Sequence, residues 1–230
     1  KPLDYYKNNL GILLNVLQQM KERGIKYFVQ SSSCTVYGEP EVLPVRENSP
    51  IQQATSPYGN TKQMAEDILR FTAMAKQVKA IALRYFNPVG AHESALIGEL
   101  PNGVPNNLMP FITQTAAGIR KQLTVFGNDY PTSDGTCIRD FIHVVDLAKA
   151  HVVAINRFFE NKNKADFEYF NIGTGRGYSV LELINSFEKT TGVKLNYAIG
   201  ERRQGDITQI WADTTVSEQE LGWKAEMDID

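Results

Sequence analysis

Apolar residues recur three and four apart through the first two dozen positions: Leu10, Leu13, Leu14, Leu17 and Met20. That spacing lays one apolar stripe along a helix over residues 1–23, which Gly24 ends. The period then changes. Tyr27 to Gln30 reads as a buried strand running out into Ser31, Ser32 and Ser33, and a loop punctuated by Pro40, Pro44 and Pro50 follows. Ser56 is a good N-cap, Pro57 suits the first helical position, and Met64, Ala65, Ile68 and Leu69 continue at helical spacing to about Gln77. VKAIALRYF, residues 78–86, is apolar enough to be buried on both faces. Strand, helix, strand in this order predicts an α/β fold with a parallel, doubly wound sheet.

From Asn87 the pattern loosens. Residues 87–107 are rich in Gly, Pro and Asn and read as irregular. A helix is predicted at about 108–120, then a strand in LTVFG, a helix over 147–160 capped by Asp146, and a strand at 167–172. Ser179 caps a helix ending near Gly192, KLNYAIG is extended, and a short helix closes near Leu221. There is no internal repeat and no low-complexity segment.

Composition narrows the class. Of 230 residues 22% are charged, with a formal net charge of -2, which argues against a nucleic-acid partner held by bulk charge. No apolar run approaches the ~20 residues of a membrane helix, and no signal peptide is visible. Cys34 and Cys137 make neither a disulfide framework nor a metal spacing, and read as thiols of a cytoplasmic protein. His92, His143 and His151 have no metal-binding spacing either; His143 reads as a satisfied polar residue.

The candidate chemistry lies between Lys26 and Lys62. Tyr58 and Lys62 are four apart, so they share a helix face one turn from each other. A free tyrosine has a pKa near ~10. A lysine ammonium one turn away, and the helix N-terminus, favour the phenolate. Such a tyrosine can take a proton from an alcohol, with a serine at the mouth of the neighbouring strand to relay it or hold the substrate. By spacing alone, a Tyr-x-x-x-Lys pair is most often an exposed helix face. The serine-ended strand upstream shifts the balance, because open α/β sheets keep their sites at strand ends.

A dinucleotide-binding sheet should begin with a strand, a glycine-rich turn and a helix. No G-x-G-x-x-G occurs here. Gly173, Gly175 and Gly177 in NIGTGRGYS lack the third glycine at its place and lie late in the chain, where a turn after a strand explains them.

SSSCTVYG followed by SPYGNTK resembles the extended short-chain dehydrogenase/reductase family, and within it most closely the UDP-glucose 4-epimerases (UDP-galactose 4-epimerases). LRYFNPVGAH, PNNLMP, FGNDYPTSDGTCIRDFIHVVDLA, NIGTGRGYSV and RRQGD continue the likeness in order, over essentially the whole chain. The resemblance implies a Rossmann-type sheet with a smaller mixed α/β substrate domain. Residues 1–88 and about 143–173 would belong to the NAD-binding domain, and about 89–142 and 174–230 to the UDP-sugar domain. Lys1 corresponds to a point well inside the family's pattern. The resemblance therefore implies that the first βαβ unit is absent from these residues, that Asp230 ends early, and that residues 1–230 alone do not hold NAD.

It also implies roles. Tyr58 would deprotonate the sugar 4-hydroxyl while hydride moves from C4 to NAD. The 4-keto sugar would turn over, and hydride would return to its other face. Lys62 would lower the Tyr58 pKa and hold the nicotinamide ribose, Ser33 would be the catalytic serine, and Asn8 and Phe86 would touch the cofactor. Asn8 as a helix-surface residue and Phe86 as core are the plainer alternatives. Arg139 and Arg203 would bind the diphosphate, with Asn87, Asn107 and the Leu108 backbone nearby. Asp206 would accept from the ribose hydroxyls, and Thr124, Val125 and Phe126 would border uracil. Arg202 reads instead as a surface ion-pair residue. Phe141 stands where close relatives often carry tyrosine, so a hydroxyl contact is lost there. Ile210, four residues after Asp206, would line the pocket near the sugar C2 substituent; the plainer alternative is a core residue of a strand. A UDP-hexose substrate, no metal, no membrane and a homodimer complete the implied picture.

Two other readings compete. A nucleotide-sugar 4,6-dehydratase needs an Asp-Glu pair where this sequence has Cys34-Thr35. A non-catalytic NAD(P)-sensing protein usually lacks the tyrosine or the lysine, and both are here. Epimerases of UDP-glucuronate, UDP-xylose or UDP-N-acetylglucosamine share the same motifs.

Overall fold

The computed structural model describes residues 1–230. Helix α1 (Pro2–Tyr5), a π turn (Tyr6–Leu10) and helix α2 (Gly11–Glu22) run on without a break, as the single stripe predicts. Strand β1 (Tyr27–Ser31) leads into a 3₁₀ turn (Cys34–Tyr37), and α3 (Pro57–Met74) follows. Then come β2 (Lys79–Tyr85), β3 (Asn87–Val89), α4 (Leu108–Ala116), β4 (Leu123–Phe126), β5 (Ile138–Arg139) and β6 (Phe141–His143). The rest is α5 (Val144–Phe159), β7 (Phe167–Ile172), β8 (Tyr178–Ser179), α6 (Val180–Thr191), β9 (Tyr197–Gly200), β10 (Gln209–Ile210) and a closing π turn (Ser217–Leu221).

The principal sheet is parallel, in the order β1-β2-β7. Tyr27 pairs with Lys79 and Ser31 with Leu83, while Ala80 pairs with Phe167 and Tyr85 with Ile172. Side chains alternate across it. Ala80 packs with Leu13, Leu17, Ala65 and Leu69 on the α2–α3 side. Ile81 and Leu83 pack with Leu147, Ala150, Ala154 and Phe158 of α5 on the other. A parallel sheet covered by helices on both faces is the doubly wound arrangement expected. The smaller region holds the parallel pair β4–β9 and the mixed sheet β10-β5-β8. Its core gathers Ile112, Leu123, Val125, Phe141, Leu183 and Ile184.

Capping sets several boundaries. Ser56 Oγ accepts from Gly59 N at 3.1 Å and starts α3. Ser179 and Glu182 form a reciprocal capping box on α6, and Gly192 ends it in the left-handed region. Asp146 is not the N-cap of α5. His143 is, its Nδ1 accepting from Val145 N at 3.2 Å, so the helix begins earlier than expected. Asp146 lies in the first turn, fully buried, and its Oδ2 accepts from Glu226 N and Met227 N. Leu14 also departs from the stripe: it faces outward, while Leu13, Leu17 and Met20 are buried. Residues 87–107 are not wholly irregular, because Asn87–Val89 pairs in parallel with Phe141–His143.

The NIGTG turn follows β7, as read. Its anchor is Asp140, fully buried, whose carboxylate accepts from the backbone N–H of Thr174, Gly175 and Ala212 and from the Thr174 hydroxyl. A Cβ on Gly173 would lie 2.4 Å from Asp140 Oδ2, so the close approach requires glycine.

Candidate active site

The first cluster forms where β1 ends beside the start of α3. Ser32 N turns back onto Gln30 O, so the chain leaves the sheet there. Ser33 is extended, caps the 3₁₀ turn by accepting from Thr35 N at 3.2 Å, and is buried. Gly59 lets the first turn of α3 come against Thr35, whose carbonyl would lie 3.2 Å from an added Cβ. Tyr58 is thereby half-buried beside Ser33, with the Tyr5 ring edge-on at 6.2 Å. Lys62 follows one turn on, its Nζ 5.4 Å from the Tyr58 ring centroid.

Electrostatics here differ from the expectation that Lys62 lowers the Tyr58 pKa. Burial dominates and pushes Tyr58 up to about 12, with the Ser33 hydroxyl acting in the opposite direction. Burial also lowers the Lys62 pKa, and Glu66, one turn further on α3, opposes that. Lys62 directs its hydrogen bond to Ser31 O at 2.6 Å. Thr35 Oγ1 is buried without a hydrogen-bond partner.

A second cluster lines a cavity of about 330 Å³ in the smaller region, near the lower end of small-molecule sites. Asn87, Asn107, Leu108, Thr124, Val125, Phe126, Arg139, Arg203 and Asp206 all line it. Arg203 Nη2 donates to Asp206 Oδ1 at 2.6 Å, and Arg139 Nη2 lies 3.9 Å from the same oxygen. A carboxylate between two guanidinium groups leaves most of their donors open for a doubly charged anion. Phe141 adds a ring to the wall and no hydroxyl. Arg202 stays outside, paired with Asp129 at 2.7 Å on the surface, as read.

Cys34 joins the two clusters. It follows Ser33, and burial raises its thiol to about 12, with the Arg139 charge acting in the opposite direction. Three sequence-predicted residues lie elsewhere. Asn8 is exposed in the π turn. Phe86 is 3% exposed and packs in a core cluster, the plainer of its two readings. Ile210 is 2% exposed in that same cluster, with Cys34, Val36 and Phe86, and does not line the cavity. Its strand, β10, is pinned against β5, which turns the side chain inward.

Sequence reasoning missed Arg120 and Gln122 on the cavity wall. The Arg120 guanidinium sits 4.7 Å from the Phe111 ring centroid, and its Nε donates to Gln114. Nothing in their spacing marks them, because they follow a helix end where the period is lost.

A family model described as the NAD dependent epimerase/dehydratase family matches residues 1–173. The chain is 50% identical to UDP-glucose 4-epimerase of Haemophilus influenzae, covering all of this chain and 68% of that one. It is 50% identical to UDP-glucose 4-epimerase of Drosophila melanogaster, covering all of this chain and 65% of that one. Among solved structures, UDP-glucose 4-epimerase from Bifidobacterium longum in complex with NAD+ and UDP superposes with a TM-score of 0.95 at 49% identity. That match covers 100% of this chain and 68% of that one. The chain thus spans about two thirds of the length of these relatives. It belongs to the NAD dependent epimerase/dehydratase family, on the branch of the UDP-glucose 4-epimerases.

Proposed function

We propose that the protein interconverts UDP-glucose and UDP-galactose by inverting C4 of the hexose, with NAD as cofactor. What carries this reading is the pairing of one proton-handling cluster, Ser33, Tyr58 and Lys62, with one arginine-lined cavity holding Arg139, Arg203 and Asp206. Similarity to structures bearing NAD, and NAD+ with UDP, supports the choice of cofactor and nucleotide.

The donor set fits a nicotinamide ribose. Lys62 has three N–H donors and one is engaged with Ser31 O, so two remain for hydroxyls. Lys62 and Tyr58 would hold the cofactor; Phe86, closed in the core, would not reach it with its ring. NAD, when bound, supplies the hydride acceptor and a positive nicotinamide charge. Tyr58 takes the proton from the sugar 4-hydroxyl and later returns it. Lys62 keeps a positive charge beside the phenolate while that proton is held. Ser33, its oxygen fixed by Thr35 N, keeps its O–H free to donate to the reacting oxygen. Arg139 and Arg203 hold the diphosphate so that the oxidised sugar can turn without leaving, and Asp206 receives the ribose hydroxyls. Thr124 to Phe126 flank the base.

UDP-galactose and UDP-glucose are the main substrates in this reading, with UDP-N-acetylglucosamine a weak one. The setting is cytoplasmic, where Cys34 and Cys137 stay reduced. A second copy covers the outward apolar residues Ile12, Leu14, Phe71 and Met74 of α2 and α3. The test is direct. The full-length protein is purified and denatured, the released nucleotide identified, and the product from UDP-galactose analysed. NAD and UDP-glucose are expected; a dehydrated 4-keto-6-deoxy product, or no product at all, overturns the reading.

A further inference from the structure

A buried polar network lies directly behind the proton-handling cluster. Glu66 sits one turn beyond Lys62 on α3 and is 8% exposed. Its Oε1 accepts from the Ser32 hydroxyl at 2.6 Å and from Arg84 Nε at 3.0 Å, and its Oε2 accepts from Arg84 Nη2 at 2.6 Å. Arg84, on β2, is fixed from every side. Its Nη1 donates to the Tyr37 hydroxyl and to Glu47 O, and its guanidinium lies 4.1 Å from the Tyr169 ring centroid and 4.9 Å from that of Tyr37. The Tyr37 hydroxyl in turn donates a hydrogen bond to Asn171 Oδ1 at 2.6 Å.

A buried ion pair adds little net stability and often less than an apolar replacement, so its retention asks for another reason. Its attachment points suggest one. Side chains of α3 grip the chain from the end of β1 onward at three levels: Lys62 at Ser31 O, Glu66 at the Ser32 hydroxyl, and Gln63 at Val36 O. Ser33 lies between them and makes none of these bonds itself. The Ser32–Glu66 bond is therefore the nearest fixed point on its N-terminal side. Ser32 is fully buried, and the chain has already left the sheet ladder there, so no strand pairing fixes its place.

We propose that Ser32 and Glu66 are positioning residues: Glu66, held rigid by Arg84, sets the placement of the Ser33 hydroxyl relative to Tyr58 on the same helix. The inference rests on the reading of Tyr58 and Ser33 as the proton-transfer groups. Misplacing a reacting group by about 1 Å costs on the order of 10²-fold in rate, whereas binding of UDP in the other cluster is untouched.

The experiment is a double-mutant cycle in the active protein. Glu66→Gln leaves Arg84 buried against a neutral partner and disturbs folding as well as placement. Ser32→Ala leaves the Glu66–Arg84 pair whole and cuts only the tie. Ser32→Ala is expected to lower kcat about ten- to hundredfold, with KM for UDP-galactose and UDP affinity by calorimetry changed less than about twofold. In a Ser33→Ala background, the same change is expected to cost nothing further, because the group it places is gone. Equal losses in both backgrounds, or a Ser32→Ala protein with unchanged kcat, overturn the inference while the proton-transfer reading stands. A Ser33→Ala protein with wild-type kcat removes that reading and the inference together.

Discussion

Lys62 Nζ lies 5.4 Å from the Tyr58 ring centroid, yet its hydrogen bond goes to the Ser31 carbonyl. The ammonium therefore keeps two donors for a ligand, and any effect it has on the phenol is exerted through space. With burial holding Tyr58 near 12, the neutral phenol is the resting form. Tyr58→Phe retains the ring and its edge contact with Tyr5 and removes only the titratable oxygen. Turnover is expected to fall by at least ~10²-fold, the lower end for a positioned acid–base group, with UDP affinity nearly unchanged. Retention of more than a tenth of the wild-type rate would show that another group moves the proton.

Lys62→Met tests the through-space effect. The methionine fills the stem's volume and leaves Ser31 O to water, which reaches that exposed edge. Loss of a positive charge destabilises the phenolate, so the acid limb of the kcat profile moves to higher pH. A charge at about 5 Å under intermediate screening shifts a pKa by about one to two units. A profile that keeps its midpoint while the rate drops would assign Lys62 to ribose binding alone.

The principal sheet was legible because β2 has the apolar centre AIAL, β7 is rich in aromatic residues, and α3 carries Ser56 and Pro57 at its start. The two-residue strands β5, β8 and β10 were not legible. Strands that short have no period of their own and exist only through partners far away in sequence, as Ile138 does with Ser179 and Gln209. Asp146 was misread because an acidic residue in the first helical turn looks the same in sequence whether it caps or, as here, reaches out to residues 226 and 227. Most of the residues that line the two clusters were picked out through ordered motifs, whereas Asn8, Phe86 and Ile210 lie outside them. The network behind the proton-handling cluster was not legible, because Glu47 lies in a loop, Glu66 on α3 and Arg84 on β2, and charged residues in sequence default to the surface.

In the cavity, Arg203 is held to Asp206 and is otherwise open. Arg203→Lys keeps the charge but loses the planar fork, so it cannot pair with a diphosphate bidentately. UDP affinity is expected to fall about tenfold for Arg203→Lys and about a hundredfold for Arg203→Ala. The kcat at saturating substrate should stay within a few-fold. Calorimetric titration with UDP checks this; equal affinity for uridine in wild type and Arg203→Ala, with UDP also unchanged, would remove the arginine from the diphosphate site.

Glu47 offers a stability test. Its Oε1 accepts from Asn171 N at 2.8 Å, while Oε2 is buried without a partner. Burial raises its pKa above the ordinary carboxylate value of 4.5. The folded state thus binds this proton more tightly than the unfolded chain. The stabilisation is fully present below the unfolded pKa and is lost as pH climbs through the raised folded value. Glu47→Gln keeps the acceptor for Asn171 N and cannot ionise. Urea titrations from pH 4 to 8 should show wild-type stability declining relative to Glu47→Gln across that window, and parallel curves would refute the assignment.

Ile210 links packing to sugar choice. It is closed in a core cluster with Cys34 and Phe86, which are the chain neighbours of Ser33 and Asn87. It therefore stands one layer behind the surface that a hexose would meet, and it is β-branched and stiff. Truncation has two consequences that can be read separately. Ile210→Ala leaves a cavity and is expected to cost about 2–5 kcal/mol of stability, seen as a lower midpoint in urea. The same cavity gives Cys34 and Phe86 room to retreat, so a bulkier C2 substituent fits better. Relief of a packing clash of about 1–3 kcal/mol corresponds to a ten- to hundredfold gain in relative rate. The ratio of UDP-N-acetylglucosamine to UDP-galactose efficiency should therefore rise by that order in Ile210→Ala. Ile210→Val, which removes a single methylene, should cost about 1 kcal/mol and move the ratio in the same direction by less. A destabilised Ile210→Ala protein with the wild-type ratio would make Ile210 a core residue and nothing more, and sugar choice would then rest with the Ser33–Thr35 segment.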